Sequence, residues 1–438
     1  MSAPPVHAPT AGRFVGQSVL RREDARLLTG QGSFLDDVVV PGMLHAAFVR
    51  SDLAHARITR IDVEAARALD GVHAVLTSAD LDPGAGSLQP SMFQSPESGP
   101  CAPLRLLAGD DVRFVGDAVA LVIAESRYLA EDACELVEVE YEPLPAVVDP
   151  EVAASDDAHL VHPELGSNVA MDIGTQTDPE LEQVFETAAH VVSERIVQHR
   201  HMTVPMETRG VVAGYSPSTG DLDVWIATQN PHENRATLAR LTGVPESRIH
   251  VRMGDVGGGF GLRYFLQREE GAVVMAAYRL GRTIKWVEDR REQLVAASHA
   301  RVDVATVKLA LDGDGRILGA HLDHVEDAGS YPVGGTGGTG AFTAMLFPGP
   351  YRIPKFGWRC RVVWTNTSGR GAYRGPWMFE SVAREEIMDL AARAAGIDPL
   401  ELRRRNVVHS SELPYQTVTG MPLDRVTPEE TLEQAAAI

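Results

Sequence analysis

The sequence predicts a mixed α/β protein of the α+β class, and three observations lead to this. Short apolar or alternating segments typical of strands recur along the chain, such as VALVIA at 119–124 and LDVWIATQ at 222–229. Between them lie segments with apolar residues at helical spacing, such as SRYLAEDACELV at 126–137, which begins at a possible N-cap, Ser126. No fixed-period repeat is present, so a solenoid or propeller is not expected.

Length and composition indicate a globular protein with a sizeable core. The chain has 438 residues, of which 44% are hydrophobic and 23% charged, and this suits two large domains or three smaller ones. Its formal net charge of -20 argues against a nucleic-acid or anionic-membrane surface, because both attract basic patches. We therefore expect no nucleic-acid partner.

Cysteine usage and hydropathy predict a cytoplasmic location. The three cysteines, Cys101, Cys134 and Cys360, form no CxxC pair, so neither a disulfide framework nor a set of iron–sulfur ligands is expected. The first residues contain no apolar run that would indicate a signal peptide. No segment approaches the roughly 20 apolar residues that a membrane-spanning helix needs.

The first part of the chain reads as one α/β domain. Residues 1–16, rich in Ala, Pro and Gly, are predicted to be a flexible arm, and residues 17–160 to be the domain. VEVEYEPL at 137–144 alternates like a strand with one wet face, and residues 84–104 form a Gly/Ser/Pro-rich loop. Residues 145–175 lack periodicity, and the boundary is placed there, near 160.

The second region, 161–438, continues to mix strands and helices. The strand at 222–229 ends at Asn230-Pro231, an N-cap followed by a proline at the first helical position, and the next helix ends at Gly243. The remaining predicted elements are strands at 190–201, 248–253, 283–289, 301–312 and 316–329 and helices at 265–282 and 379–397.

Three glycine-rich loops lie at or near strand-to-helix junctions in this region. They are VGGGFG at 256–261, VGGTGGTGA at 333–341 and SGRGAYRGPW at 368–377. The first does not match the dinucleotide fingerprint, because Leu262 stands where Gly or Ala is required. No P-loop, HExxH or GxSxG motif occurs.

Bare backbone N–H groups at helix N-termini favour anions, so one large anionic cofactor touching several loops would explain them together. Each loop taken alone is better explained as a surface turn. His199 and His201 could form a metal pair, but two histidines on one strand face are more often ordinary polar residues.

Several longer segments carry a family likeness. The chain resembles the large subunit of the molybdenum hydroxylases, the group of xanthine dehydrogenase, aldehyde oxidase and carbon monoxide dehydrogenase. The matching segments follow the family order from about residue 12: RREDARLLTGQGSFLDDV (21–38), VRFVGDAVALVIAESRYLAEDACELVEVEYEPLPAVVD (112–149), PMETRGVVA (205–213), TQNPHENRATLARLTGVPESRIHVRMGDVGGGFG (228–261), GAYRGPW (371–377) and DPLELRRRNVV (398–408).

The resemblance implies an N-terminal hammerhead α/β domain at 17–160, followed at 161–438 by the N-terminal part of a molybdopterin-binding domain. The cofactor would be molybdenum–molybdopterin, with the cytosine dinucleotide form expected. In this family the metal is held by the dithiolene sulfurs of the pterin and by small ligands, not by side chains, so the lack of a His/Cys cluster is no objection.

The resemblance also implies residue roles at the cofactor. Gln229 matches the glutamine whose amide hydrogen-bonds an oxo ligand of molybdenum. Phe260 matches the phenylalanine of the GGFG loop, whose backbone approaches metal and pterin, and Gly258, Gly259 and Gly261 permit that approach. Arg374 matches the arginine of the AYRG loop beside the metal.

Plainer readings of these residues stay open. Phe260 can be a core aromatic that anchors its loop, and Arg374 can belong to a structural salt bridge. Glu207 and Arg209, in PMETRG, are family-like too, and a structural role is the expected one for both.

The sequence departs from the family pattern at three substrate or metal positions. Gly375 stands where the carbon monoxide dehydrogenase type has a copper-binding cysteine, so a copper-linked site is not expected. Tyr264 stands where purine hydroxylases have a substrate-binding glutamate, and their substrate arginine falls near Phe342. By elimination, a small aldehyde or an aromatic N-heterocycle fits better than a purine.

Family large subunits run several hundred residues further than this sequence. The resemblance therefore implies that the C-terminal half of the cofactor domain, with the glutamate that acts as general base, is missing, and no catalytic residue is assigned. Thr427 is expected to cap a final helix, with Glu430 at its capping-box position.

Two interpretations follow from the resemblance. The chain is the catalytic subunit, or its N-terminal part, of a complex with an iron–sulfur subunit and an FAD subunit that acts on a small molecule. Alternatively, it is a truncated or split product that is inactive without the missing half, which a separate chain could carry.

Overall fold

The structure is a computed structural model that describes residue 14 and residues 17–81, 104–175, 178–333, 339–375 and 377–438. Its strands are β1 Leu44–Arg50, β2 Ala56–Asp62, β3 Val72–Thr77, β4 Asp111–Val112, β5 Ala118–Ala124, β6 Glu138–Pro143, β7 Val169–Gly174, β8 His190–Gln198, β9 His201–Met202, β10 Gly210–Ser216, β11 Asp221–Ile226, β12 Ile249–Arg252, β13 Ile284–Val287, β14 His299–Ala300, β15 Asp303–Leu311, β16 Ile317–Gly329, β17 Phe356–Trp364, β18 Tyr415–Gln416 and β19 Pro422–Leu423.

Its α-helices are α1 Asp24–Leu28, α2 Glu64–Arg67, α3 Ser78–Leu81, α4 Arg127–Cys134, α5 Pro150–Ala153, α6 Pro179–Thr187, α7 Pro231–Thr242, α8 Arg268–Leu280, α9 Arg290–Ala296, α10 Thr339–Leu346, α11 Phe379–Ala395, α12 Pro399–Asn406 and α13 Pro428–Ala436. Short 3₁₀ helices lie at Leu35–Asp37, Pro163–Leu165, Glu246–Arg248 and Ser410–Glu412. The predicted mixed α/β class is confirmed.

The largest sheet has seven strands in the order β12-β11-β10-β13-β1-β5-β3. Its core strand β5 is buried along its whole length, as the continuous apolar run predicts. β1 pairs in parallel with β13, with Leu44 opposite Ile284, so this sheet joins strands from both sides of the boundary predicted near residue 160. The buried helix α8 packs against β10 and β13 and closes the core on one face.

A second sheet has five strands in the order β7-β17-β16-β15-β8, and a third has three in the order β4-β2-β6. β15 and β16 form a long antiparallel hairpin, and β16 pairs in parallel with β17. Helix α11 packs across β8 and β15. The glycine-rich loop at 256–261 thus follows a strand of the seven-stranded sheet, and the loop at 368–377 follows a strand of the five-stranded sheet.

Local signals in the sequence mostly predict the right elements. Ser126 caps α4, since its Oγ accepts a hydrogen bond from the Leu129 N–H at 3.2 Å. In β11 the side chains of Leu222, Val224 and Ile226 are buried and alternate with partly exposed ones, as predicted. α7 ends at Gly243, which takes the left-handed conformation expected of a C-terminal cap.

Two local expectations, the unbroken strand at 190–201 and the capping box at Glu430, are wrong. The predicted strand at 190–201 is interrupted after Gln198, where Arg200 turns inward to pair with the buried Asp327 at 2.8 Å. The N-caps of α7 and α13 stand at Asn230 and Thr427 as predicted, although neither side chain makes a cap hydrogen bond. No capping box forms at α13, because Glu430 instead accepts from the hydroxyl of Ser410.

Several expectations fall wholly or partly outside the described residues. They concern the arm at 1–16, the loop at 84–104, the middle of the loop at 333–341, and Cys101. Cys134 and Cys360 are both free thiols. Among the described helices, none has the length and apolar character required to cross a bilayer.

A buried ion network ties α8 to the seven-stranded sheet. The Arg209 side chain is fully buried and donates to Glu288, to Gln267 Oε1 at 2.7 Å and to Glu269 Oε2 at 3.1 Å. Arg50 donates to Glu269 Oε1 at 3.0 Å. Because the two arginines and two carboxylates are desolvated together, removing any one would leave an uncompensated buried charge. Arg209 therefore has the structural role that the sequence analysis expected.

Glu270, beside this network, gives a prediction about stability and pH. Burial, the largest cause, raises the pKa of Glu270 from its ordinary 4.5 to about 7. A carboxyl whose pKa is higher in the folded state stabilises the fold fully below pH 4.5, and this contribution is lost as the pH rises through about 7. Glu270→Gln keeps an acceptor for the Gln267 N–H, which Glu270 Oε2 now accepts at 2.9 Å. We expect the variant to gain on the order of 3 kcal/mol over the parent at pH 8 and to match it near pH 4.5.

Urea unfolding followed across this pH range measures the difference. The exposed Glu131→Gln on α4 is the matched control and should leave the pH profile unchanged. Equal stability of Glu270→Gln and the parent protein at pH 8 would contradict the prediction.

Candidate cofactor site

The glycine-rich loop after β12 is held by a buried carboxylate–guanidinium pair. Glu207 Oε2 accepts from the Gly257 N–H at 2.8 Å and from Arg263 Nη1 at 2.7 Å. Arg263, whose side chain is 1% exposed, also donates to the backbone carbonyls of Glu207 and Thr208. Glu207 therefore has the expected structural role, which is to fix the start of the loop.

A second ion pair fixes the approach to the loop. Arg26 of α1 makes two hydrogen bonds to Asp255, with both N–O distances at 2.5 Å, and Asp255 also accepts from the Ser33 N–H at 2.8 Å. The Arg26 side chain, as the main cause, lowers the pKa of Asp255 to about 2. The segment at 21–38 thus fixes the position of Asp255, the residue directly before the glycine loop.

Gln229 lies directly against the loop. Its backbone N–H donates to the Arg263 carbonyl at 2.9 Å, and its side-chain Oε1 accepts from the Gly261 N–H at 2.8 Å. A Cβ on Gly259 would lie 2.5 Å from that same Oε1, so only glycine fits there. Since its oxygen is engaged by the loop, the amide NH₂ of Gln229 is left as the group that can donate to a ligand.

The loop after β17 meets the glycine loop through the backbone. The Arg374 N–H donates to the Phe260 carbonyl at 2.9 Å, and the Arg374 guanidinium lies 5.7 Å from the centre of the Phe260 ring. Both residues have positive φ, 52° for Phe260 and 44° for Arg374. Gly261 has φ 104°, and a Cβ there would lie 2.6 Å from the Ala372 carbonyl oxygen. Non-glycine residues with positive φ are uncommon and are often found at functional sites.

Arg301 fixes the backbone of this second loop by hydrogen bonds. The sequence analysis did not identify this residue. Its guanidinium donates to the carbonyls of Tyr373 at 2.8 Å and Gly375 at 2.7 Å, which flank Arg374. Arg301 and the next residue, Val302, also have positive φ, at 72° and 68°. They lie between the two-residue strand β14 and the long strand β15, where the sequence gives no recognisable signal for this conformation.

The described residues of these loops present hydrogen-bond donors to the surface. Gln229, Phe260 and Arg374 are exposed. Within the described chain, no protein acceptor takes the N–H groups of Gly258, Gly259 or Phe260, and no carboxylate pairs with Arg374. Phe260 is 43% exposed, so it is not a core aromatic residue. Arg374 likewise forms no salt bridge with a described carboxylate. Unpaired N–H groups beside a cation and an amide fit an anionic group with close backbone contact.

Two glutamates of this region form ion pairs with arginines. Glu207 pairs with Arg263, and Glu269 lies between Arg50 and Arg209. The two histidines proposed as an alternative metal pair do not converge either. The His201 ring stacks on Tyr373 with centroids 6.5 Å apart, and its Nδ1 contacts the carbonyl of His199 at 2.8 Å.

Comparison with known families accounts for both halves of the fold. Residues 29–145 match the aldehyde oxidase and xanthine dehydrogenase a/b hammerhead domain. Residues 161–407, more than half of the chain, match the molybdopterin cofactor-binding domain.

The chain belongs to the molybdenum hydroxylase large-subunit family.

Relatives within this oxidoreductase family differ in how much of their length the chain covers. It is 39% identical over 426 residues to the nicotine 6-hydroxylase large subunit of Paenarthrobacter nicotinovorans, covering 96% of this chain and 52% of that one. It is 29% identical to the nicotinate dehydrogenase large molybdopterin subunit of Eubacterium barkeri, covering 97% of this chain and 96% of that one. The chain thus spans about half of the first relative and nearly all of the second.

The fold is also that of a solved family member. Quinoline 2-oxidoreductase from Pseudomonas putida 86 superposes with a TM-score of 0.91 and 40% sequence identity, over 96% of this chain and 53% of that chain. The hammerhead and molybdopterin-binding architecture expected from the sequence is therefore confirmed for this molybdenum hydroxylase chain.

The contact between the two loops gives a prediction about stability. Gly261→Ala would force a side chain into φ 104° and against the backbone of Ala372, so the loops must separate. We expect a loss of about 2–4 kcal/mol in the free energy of unfolding, the sum of backbone strain and the broken contact.

Chemical denaturation of the two proteins measures this loss. The control is Gly243→Ala. Gly243 also has positive φ, but a Cβ added there would contact nothing within 4 Å. This variant should lose about 1 kcal/mol in the free energy of unfolding. Equal losses in the two variants would show that the contact with Ala372 has no energetic weight.

Proposed function

We propose that this chain forms one side of a molybdenum–molybdopterin site in a multi-subunit oxidoreductase. The enzyme would hydroxylate an N-heteroaromatic or aldehyde substrate with oxygen derived from water. The observation that carries the proposal is the convergence of the Gln229 amide, the Phe260 loop and Arg374 on one open, carboxylate-free surface. When bound, the cofactor supplies the two-electron redox chemistry, and the chain supplies binding and orientation.

Each residue has a defined role in this proposal. The N–H groups of Gly258, Gly259 and Phe260 donate to anionic oxygens of the cofactor, which we take to be its cytosine dinucleotide form. The NH₂ of Gln229 donates to an oxygen beside the metal, in an orientation fixed by the Gly261 N–H. Arg374 provides a positive charge that no described carboxylate neutralises.

We further propose that a second half closes the site and carries the general base. The exposure of Gln229 and Arg374 supports this, as do the ion pairs of Glu207 and Glu269, because neither of these two glutamates is available to act as a base. The second half can lie on the same polypeptide or on a separate one. Without it, we propose that the chain binds the cofactor weakly or not at all and is inactive.

Electron transfer would require partner subunits. Two electrons leave the substrate in each hydroxylation, and three unclustered cysteines cannot hold iron–sulfur clusters. We propose an iron–sulfur subunit and an FAD subunit in a cytoplasmic complex.

Two observations favour an N-heteroaromatic substrate over an aldehyde. The relatives named above act, by their names, on nicotine, nicotinate and quinoline, all of which contain a nitrogen heterocycle. Phe342 is 39% exposed, and its ring centroid lies 5.7 Å from that of Trp377. Trp377 follows Arg374 by three residues. Such a pair offers an aromatic face to a planar ring. Gly375 and Tyr264 give no support to a copper site or a purine substrate.

The experiment is to co-express the chain with its neighbouring genes and to purify the complex. Molybdenum, iron and flavin contents and substrate-dependent dye reduction are measured for the parent protein and for Gln229→Ala and Arg374→Ala. We expect Gln229→Ala to lower kcat by about 10²-fold with cofactor retained, because a donor to the reacting centre is lost. Arg374→Ala should lower the molybdenum content.

Arg404→Ala is the matched control. Arg404 is an exposed arginine of α12 that pairs with Glu433 of α13, and neither residue belongs to the loops of the candidate site. It should leave metal content and kcat unchanged. A complex without molybdenum, or one in which both site variants behave like Arg404→Ala, would refute the proposed site.

A further inference from the structure

A cluster of five polar residues is buried in the five-stranded sheet and takes no part in the proposed cofactor contacts. The sheet register brings His324 opposite Cys360 and Asp303 opposite Glu326, with Arg370 alongside. All five are between 0 and 8% exposed. Burying so many polar groups is costly unless each finds a partner.

Two of these residues have one ligand atom engaged and another without a partner. His324 Nε2 lies 3.0 Å from Asp303 Oδ1, whereas its Nδ1 has no hydrogen-bond partner. Glu326 Oε1 accepts from Thr339 and lies 3.3 Å from Arg370 Nε, whereas its Oε2 has no partner. Donor atoms of His324, Glu326 and Cys360 lie within 4.8 Å of one another.

We propose that His324, Glu326 and Cys360 bind a divalent cation of the zinc class, in a structural role. Zinc accepts nitrogen, oxygen and sulfur ligands together. A histidine that binds zinc through one ring nitrogen typically donates through the other to a carboxylate, as His324 can to Asp303. Arg370 likewise orients Glu326, so two of the three donors are held in place before an ion arrives.

The charges of the cluster are compatible with an ion, and Gly340 adds no side chain beside the donor atoms. On binding, the Cys360 S–H bond breaks, a sulfur–metal bond forms and the proton passes to solvent. The negative charges of Asp303, Glu326 and the Cys360 thiolate then balance Arg370 and the dication. Gly340, at the start of α10, has no side chain beside the sulfur, and a Cβ there would lie 2.0 Å from Cys360 Sγ and 3.5 Å from Glu326 Oε2.

The ion would stabilise the base of the Arg374 loop. Arg370 Nη1 donates to the carbonyl of Arg301 at 3.0 Å, and Arg301 holds the carbonyls on both sides of Arg374. The cation is thus a structural element distinct from the molybdenum cofactor, which contacts the opposite, exposed side of that loop in our proposal.

The test uses the purified complex, stripped with a chelator and titrated with Zn²⁺ or Co²⁺ alone. We expect about one ion per chain, a higher melting temperature with Zn²⁺, and the thiolate-to-metal charge-transfer absorption of Co²⁺ in the near ultraviolet. Cys360→Ser should abolish that absorption, and Glu326→Gln should weaken Co²⁺ binding at least tenfold. Both replacements are close in size to the native residue.

The Cys101→Ser/Cys134→Ser double variant leaves Cys360 as the one thiol in the chain. It should keep the absorption and the Zn²⁺-dependent rise in melting temperature. This readout does not depend on either single variant folding. Absence of the Co²⁺ thiolate absorption in the parent protein and in the double variant would overturn the proposal, as would unchanged binding in Cys360→Ser.

Discussion

One backbone hydrogen bond, from the Arg374 N–H to the Phe260 carbonyl, joins the two loops on which the candidate site depends. One loop follows the seven-stranded sheet and the other follows the five-stranded sheet, so this bond brings the two sheets together at one point. It forms only because both residues take positive φ and Gly261 leaves room for the Ala372 carbonyl. The strain of these conformations is offset by the Glu207–Arg263 ion pair at the glycine loop and by the hydrogen bonds of Arg301 at the Arg374 loop.

These supporting contacts explain how the exposed hydrogen-bond donors of the site can remain without a protein acceptor. On the side of the glycine loop, Glu207 and Arg263 satisfy each other and the backbone beneath the loop. On the side of Arg374, Arg301 does the same for the flanking carbonyls. The remaining donors face outward without a protein acceptor, as preorganised binding of an anionic group requires. The rigid layer underneath lets the donors stay unpaired without collapse of the loops.

The sequence predicts the fold class correctly and marks the residues of the candidate site, but it does not mark the residues that support them. β5 and Ser126 carry local signals, a continuous apolar run and a capping serine, that suffice to predict their structure. Gln229 and Arg374 were found through motif resemblance, which records sequence similarity and not geometry. Arg301 lies about 70 residues from the carbonyls that it holds, and neither pattern nor motif marks it. The capping box expected at Glu430 fails for a related reason, because its carboxylate accepts instead from the hydroxyl of Ser410, 20 residues earlier in the chain.

The same reasoning applies to the buried cluster of His324, Glu326 and Cys360. Each residue alone looks like an isolated polar position in a strand, and only the register of β15, β16 and β17 brings the three side chains together. A core that leaves two ligand atoms unpaired pays a desolvation cost that apolar residues would avoid. An ion bound at the cluster would offset this desolvation cost. Arg370 connects the cluster to Arg301, which has a positive φ and holds the Arg374 loop. A continuous chain of contacts, from Glu326 through Arg370 to Arg301, thus connects the cluster with the Arg374 loop.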